Sequence, residues 1–324
     1  MNFVALACCL TLLAYGTAMS AASLLSCPLL PAALLTPEPD SRSRRLFALR
    51  VLPVAFAFFV ALEVVLPAFV WFEPWDTGER VALGLLVGAV FSSAVLATGI
   101  VRVGSGLLAT KRLVRRWLRG ACPIRLVGVT MPVYAVDEPF PIVTIAGCVH
   151  PRLFVSRIVL EHCTGAELAA IVAHEAGHQR RGDAWRRLVL RACPDILALT
   201  PIGAALERWW AEAADEAADD CATAAGDAPS LDLASALLKV ARLAGNARPR
   251  GLPLTALYHG GGAAGRAARL LGRLSPPVVP PRGKPGTVAA IALAVGVLFV
   301  PLAAVSTILH QVHNLLESVV LLFG

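Results

Sequence analysis

His174-Glu175-Ala176-Gly177-His178 is the one stretch whose residue types and spacing specify a reaction. On an α-helix, side chains four residues apart project from one face, so the two imidazoles can share a single metal ion. A divalent ion held by imidazole nitrogens acts as a Lewis acid, and the glutamate between the histidines is placed to act as a base toward water. The pattern H-E-x-x-H therefore predicts metal-assisted hydrolysis, with zinc as the metal.

Five positions recur by chance in alanine-rich helices, so the surroundings decide. Thr164 and Glu167 have the spacing of a capping box, and Leu168, Ile171 and Val172 mark an apolar stripe leading into the motif. Together they predict a helix that starts at Thr164 and carries His174 and His178 on it.

That helix sits in an unusually apolar chain. Of 324 residues 57% are hydrophobic and 16% charged, and the mean hydropathy is +0.69, values of an integral membrane protein. Apolar runs of about 20 residues, enough to cross a hydrocarbon core, occur at Phe3 to Leu25, Val51 to Phe72, Val81 to Val101 and Thr287 to Leu309. Four spans are predicted. The first lacks the basic start of a secretory signal, since no charged residue precedes Glu38, and is expected to be retained.

The net charge of +7 is concentrated beside the spans. Arg42, Arg44, Arg45 and Arg50 follow span one, and Arg102, Lys111, Arg112, Arg115, Arg116 and Arg119 follow span three, whereas the connection Glu73 to Arg80 is acidic. The positive-inside rule then puts the amino terminus outside and the region carrying the metal motif in the cytoplasm. A basic surface used in this way gives no reason to expect direct nucleic-acid binding. The eight cysteines show no C-x-x-C pair, so neither a zinc knuckle nor a disulfide framework is expected.

The polar stretch between spans three and four is the only one large enough for a folded domain. The domains expected are 1–101, with three spans; 102–284, the metal-binding domain; and 285–324, the fourth span and a short tail. Leu107 to Arg119 reads as a basic amphipathic helix, either lying on the anionic leaflet with Trp117 at the headgroups or continuing span three. Short strands are predicted at Ile124 to Val129, Ile142 to Ala146 and Arg152 to Val155. Helices are predicted at Ala184 to Ala192, Pro201 to Ala225, Leu231 to Leu243 with Ser230 as cap, and Arg266 to Leu274. Pro276, Pro277, Pro280 and Pro281 mark a stiff linker back to the membrane.

A catalytic zinc site takes a third protein ligand. The alanine-rich helix offers Glu212, Asp215, Glu216, Asp219 and Asp220, with Glu212, Glu216 and Asp219 on one face at i, i+4 and i+7. Such a run is a solvated acidic face in most helices; beside an H-E-x-x-H motif, a cation-facing carboxylate is the better reading. Asp183 can cap the helix at Ala184 or hydrogen-bond a metal-bound imidazole. Glu63 lies inside span two, where an ionisable group is expected to bond another span. His150, His162 and His259 lack ligand spacing, and Gly260-Gly261-Gly262 lacks the strand and helix of a phosphate loop.

His174-Glu175-x-x-His178 with Asp183, the preceding Pro139-Phe140-Pro141-Ile142-Val143-Thr144-Ile145 and the later Glu216-Ala217-Ala218-Asp219-Asp220 resemble the BlaR/MecR-type membrane metallopeptidases over roughly Cys122 to Leu274. The resemblance implies a mainly α, four-span integral membrane protein with a cytoplasmic α+β zincin-like domain between spans three and four. In that family a glutamate four residues before an aspartate completes the site, which implies Glu216 as third zinc ligand beside His174 and His178, and Asp220 as its partner. Glu212 competes for the same role. The resemblance further implies Glu175 as catalytic base, a protein or peptide substrate such as a transcriptional repressor or the chain itself, and a gluzincin-type endopeptidase in the cytoplasmic membrane. Only about fifteen residues follow span four, so a penicillin-binding sensor like that of the best-known relatives is not expected. An HtpX-like quality-control protease and a non-catalytic zinc-stabilised transducer are the competing readings, the latter having no use for Glu175.

Overall fold

The computed structural model describes residues 2–73, 83–126, 129–147, 150–193, 197, 200–224, 226–245, 263–272, 310–316 and 318. Two compact units partition the chain. One comprises Met1–Ser26, Leu52–Ala97 and Pro277–Gly324; the other Cys27–Val51 and Thr98–Pro276.

The first unit is built from α1 (Asn2–Ser26), the later part of α3 (Pro39–Phe59), a π-helical stretch at Val60–Val65, α4 (Leu66–Phe72) and the start of α5 (Leu83–Gly120); α2 (Leu30–Leu34) precedes α3. Three helical stretches among the described residues, Phe3–Leu34, Pro39–Phe72 and Leu83–Gly120, are long and apolar enough to cross a membrane. The fourth expected span, Thr287 to Leu309, lies outside the described residues, as does the proline linker.

Small residues let these helices approach. A Cβ added at Gly16 would fall 2.1 Å from Ser92 Oγ, and one at Gly88 would fall 2.5 Å from Leu13 Cδ1. Lipid tails give apolar surfaces no reason to leave them, so close van der Waals contact at glycine is what holds such helices together. Phe3, Leu6, Leu10, Val65, Phe69 and Leu85 fill the core around this approach. Glu63 falls within the π-helical stretch, an irregularity that often marks function, and its side chain is exposed.

The second unit joins a small sheet to a set of helices. β1 (Cys122–Ile124), β2 (Val133–Val136), β3 (Val143–Ala146) and β4 (Arg152–Ser156) form a sheet in the order β1-β2-β4-β3. β2 and β4 run parallel, and both outer strands pair antiparallel. The sequence reading misses β2, bounded by Pro132 and Asp137, and sets the first strand too late. α6 (Arg157–His162), α7 (Gly165–Arg181), α8 (Asp183–Ala192), α9 (Pro201–Thr223), α10 (Asp227–Ala244) and α11 (Ala263–Gly272) follow. α10 begins after Gly226 rather than at Ser230, whose hydroxyl bonds back to the Gly226 carbonyl.

Leu107 to Arg119 is the continuation of α5. Trp117 is not at a headgroup level: it is buried against Phe154 and Phe140, its indole N–H donating to Glu138 2.9 Å away. An indole offers both a large apolar face and one donor, and the sheet supplies contacts for both.

Candidate metal centre

α7 is fixed at both ends. Thr164 accepts from the Glu167 amide and Glu167 accepts from the Thr164 amide, the reciprocal capping box read from the sequence. Gly182, at φ +67, closes the helix in the left-handed conformation that only glycine adopts without cost. Buried Glu167 also accepts from Ser235 at 2.6 Å and Lys239 at 2.7 Å on α10. Burial alone would raise its pKa, but these partners outweigh that and lower it to about 2.

Gly177, inside the motif, lets α7 lie directly on α9. A Cβ there would sit 3.2 Å from the Ala218 carbonyl oxygen and 3.3 Å from Cys221 Cβ. Ala211, Ala214, Ala218 and Ala222 are buried along α9. At 100° per residue Asp215 falls about 55° from the middle of that stripe and Glu216 about 155° from it. The backbone thus turns Asp215 toward α7 and Glu216 away.

The side chains follow that geometry. His174 and His178 are buried, and their Nε2 atoms lie 3.1 Å apart. His174 Nδ1 is 2.9 Å from Asp219 Oδ1, and His178 Nδ1 is 2.9 Å from Asp183 Oδ2. A carboxylate only accepts, so each Nδ1 carries the proton and both Nε2 lone pairs face inward. Asp215 Oδ1 lies 3.5 Å from His178 Nε2. One ligand atom from each of His174, His178 and Asp215 falls within 4.8 Å of the others. Three inward-facing acceptors so close repel one another unless a cation sits among them, so this donor set fits a divalent metal.

Glu216 and Asp220 occupy the other side of α9. The Glu216 carboxylate pairs with Arg42, and Asp220 accepts from Arg269 at 2.7 Å. Glu212 is exposed. The i, i+4 carboxylate pair turned toward the histidines is therefore Asp215 and Asp219, one residue before the pair implied by resemblance. His150 is exposed, and exposed His162 bonds the Ile158 carbonyl of its own helix; His259 lies outside the described residues.

Glu175 accepts from the Ile145 amide of β3 at 3.2 Å. Burial of its carboxyl raises its pKa to about 8, and the same cause raises Asp215 to about 7. Burial and then Arg266 lower the pKa of His174; burial, His174 and Arg266 hold that of His178 far down. These imidazoles are neutral, the form that ligates metal. Asp219 resists the effect of burial through His174 and Arg266 and stays below the ordinary carboxylate range.

Arg266, on α11, is a site residue that sequence reasoning did not find. Its Nη2 lies 2.5 Å from Asp219 Oδ1 and 3.4 Å from both ring nitrogens of His174, and Nη1 lies 3.5 Å from Asp215 Oδ2. Ala267 and Leu270, buried with Ala170, Ala222, Leu233 and Ala234, anchor α11 there. The only sequence signal is a pair of arginines, Arg266 and Arg269, on a short amphipathic helix. Arg181, which reads in the sequence only as part of the polar break Arg180-Arg181-Gly182-Asp183, donates through Nε to Asp183 Oδ2 at 3.2 Å.

Residues 145–247, which run from β3 through the metal motif and α9 to α10, match the sequence model described as Peptidase family M48, about a third of the chain. No curated protein matches the chain. The match indicates a metal-dependent protease, and the three long apolar helices are compatible with a membrane-associated one.

Proposed function

We propose that the chain is a membrane-embedded zinc endopeptidase in which His174, His178 and Asp215 hold the metal. The observation that carries this reading is the pair of inward-facing Nε2 atoms 3.1 Å apart, each ring fixed through Nδ1 by its own aspartate, with Asp215 completing the group. When bound, zinc supplies Lewis acidity that activates water and polarises the scissile carbonyl.

Glu175 takes the proton from the attacking water and delivers it to the leaving amine. A carboxyl with a raised pKa suits both halves of that cycle, because it must lose and regain a proton near neutrality. Asp183 and Asp219 keep each imidazole in one tautomer and one orientation. Arg266 restrains Asp219 and places a fixed positive charge beside His174.

The substrate is an extended segment of a protein chain. β3 is the end strand of the sheet order β1-β2-β4-β3, and its Ile145 amide is directed to Glu175 rather than into the sheet. Strand addition at this edge would lay a peptide beside the catalytic glutamate. The charge asymmetry of the loops supports a cytoplasmic site on the inner membrane face, with the zinc domain spanning 102–284 and a fourth span after it. Resemblance to the BlaR/MecR-type enzymes makes a regulatory protein, a repressor or the chain itself, the substrate to examine first. Accumulation of misfolded membrane proteins in a deletion strain, with signalling intact, would instead favour the quality-control role.

The test compares purified wild type with Glu175→Gln in detergent. Equal zinc content with loss of peptide cleavage is expected; cleavage by both at the same rate would remove Glu175 from the mechanism.

A further inference from the structure

The start of α3 reaches the metal centre from outside the segment that carries the motif. We infer that Asp40 and Ser43, at the start of the second candidate span, are positioning residues for the metal site, an inference that rests on the function proposed above.

Four contacts bear on it, all within the second unit. Arg181, the last residue of α7, donates through Nη1 to Asp40 and through Nη2 to Ser43 Oγ at 2.7 Å. Through Nε the same guanidinium donates to Asp183 Oδ2, the atom that also faces His178 Nδ1 at 2.9 Å. Asp40 and Ser43 thus fix a fork whose third prong fixes the aspartate behind a metal-binding imidazole. Arg42, between them, pairs with Glu216, next to Asp215 on α9.

One turn of α3 therefore grips both helices that supply the ligands. Ser43 and Asp183 are fully buried and the Arg181 side chain is 9% exposed, so water competes little for the bonds Arg181 makes to these two; the Asp40 side chain is half-buried. An arginine with five donors in a rigid fork suits this three-way bridge, which lysine could not make. The segment is anchored as well as bonded: Ala33 and Leu46 are buried with Leu190, Leu206 and Trp210 of α8 and α9.

α3 forms the first part of the stretch Pro39–Phe72, the second candidate span. The residues that orient the imidazole and those that enter the bilayer are therefore parts of one helix.

The experiment is Co²⁺ and Zn²⁺ binding to the full chain in detergent, with the Co²⁺ visible spectrum as a readout of ligand geometry. Variants are Asp40→Ala, Ser43→Ala, Arg181→Ala, the double variant Asp40→Ala/Arg181→Ala, and Asp40→Glu as the conservative control; circular dichroism checks folding. Asp40→Ala and Ser43→Ala should weaken metal binding about tenfold, the low end for groups behind a ligand, and alter the Co²⁺ spectrum, with Asp40→Glu recovering part of the loss. Adding Asp40→Ala to Arg181→Ala should cost nothing further, because the shared bridge is already gone. Wild-type affinity and spectrum in both Asp40→Ala and Ser43→Ala, or full additivity in the double variant, would overturn the inference while leaving the peptidase reading in place. Failure of the wild type to bind either metal would overturn both.

Discussion

His174 Nε2 and His178 Nε2 face each other at 3.1 Å, and neither has a proton to offer the other, because Asp219 and Asp183 hold the protonated nitrogens of the two rings. Two acceptors in contact are unfavourable without a cation between them. Removing either supporting aspartate frees a ring to rotate, so Asp183→Ala and Asp219→Ala should each weaken zinc binding by about 10- to 100-fold. Competition with a chromophoric chelator measures this directly. An unchanged affinity in both variants would mean that the aspartates serve only folding.

Glu175 is bonded to the edge strand through the Ile145 amide. Glu175→Gln keeps the shape of the side chain but cannot accept a proton. Its cleavage rate should fall by about 10²- to 10⁴-fold, with thermal stability near pH 7 little changed, because burial raises the carboxyl's pKa to about 8 and leaves it mostly neutral there. Rate and melting temperature measured on one preparation separate the two effects.

Glu167 links the start of α7 to Ser235 and Lys239. Its folded pKa of about 2 lies below the ordinary 4.5, so the unfolded chain takes up this proton first as pH falls. The stabilisation is fully present above pH 4.5 and is lost as pH drops through about 2. Denaturant unfolding between pH 6 and pH 2.5 should show the decline, and Glu167→Gln should flatten this part of the profile while lowering stability at neutral pH. A wild-type profile retained in Glu167→Gln would assign the decline to other groups.

Gly177 touches the Ala218 backbone, which cannot give way as a flexible side chain could. Gly177→Val should push α7 from α9, destabilise the fold by about 1–3 kcal/mol and separate His178 from Asp215. Zinc affinity should drop with little loss of helical circular dichroism. For Gly177→Ala the gain in helix propensity, about 1 kcal/mol, opposes a milder crowding, so a smaller effect is expected.

Local signals were the legible ones. Thr164, Glu167 and the H-E-x-x-H spacing identify α7, its cap and its two imidazoles without reference to anything distant. The choice among five carboxylates on α9 is different in kind, because it depends on which face of that helix is buried. The buried alanines Ala211, Ala218 and Ala222 turn Asp215 rather than Glu216 toward α7, a bias that the acidity of the run masks. β2 escaped because four residues between a proline and an acidic turn give no periodicity to read. Arg266, Asp40 and Ser43 are distant in sequence from the motif they support, and only tertiary packing brings them in; Arg181 ends the motif helix itself, but its partners on α3 are equally remote.

The most direct test is the zinc content of Asp215→Ala set against Glu216→Ala, measured on folded protein by elemental analysis alongside peptide cleavage. Glu216→Ala should retain stoichiometric zinc and activity, whereas Asp215→Ala should lose both. Zinc and cleavage surviving in Asp215→Ala but vanishing in Glu216→Ala would contradict a centre built from His174, His178 and Asp215.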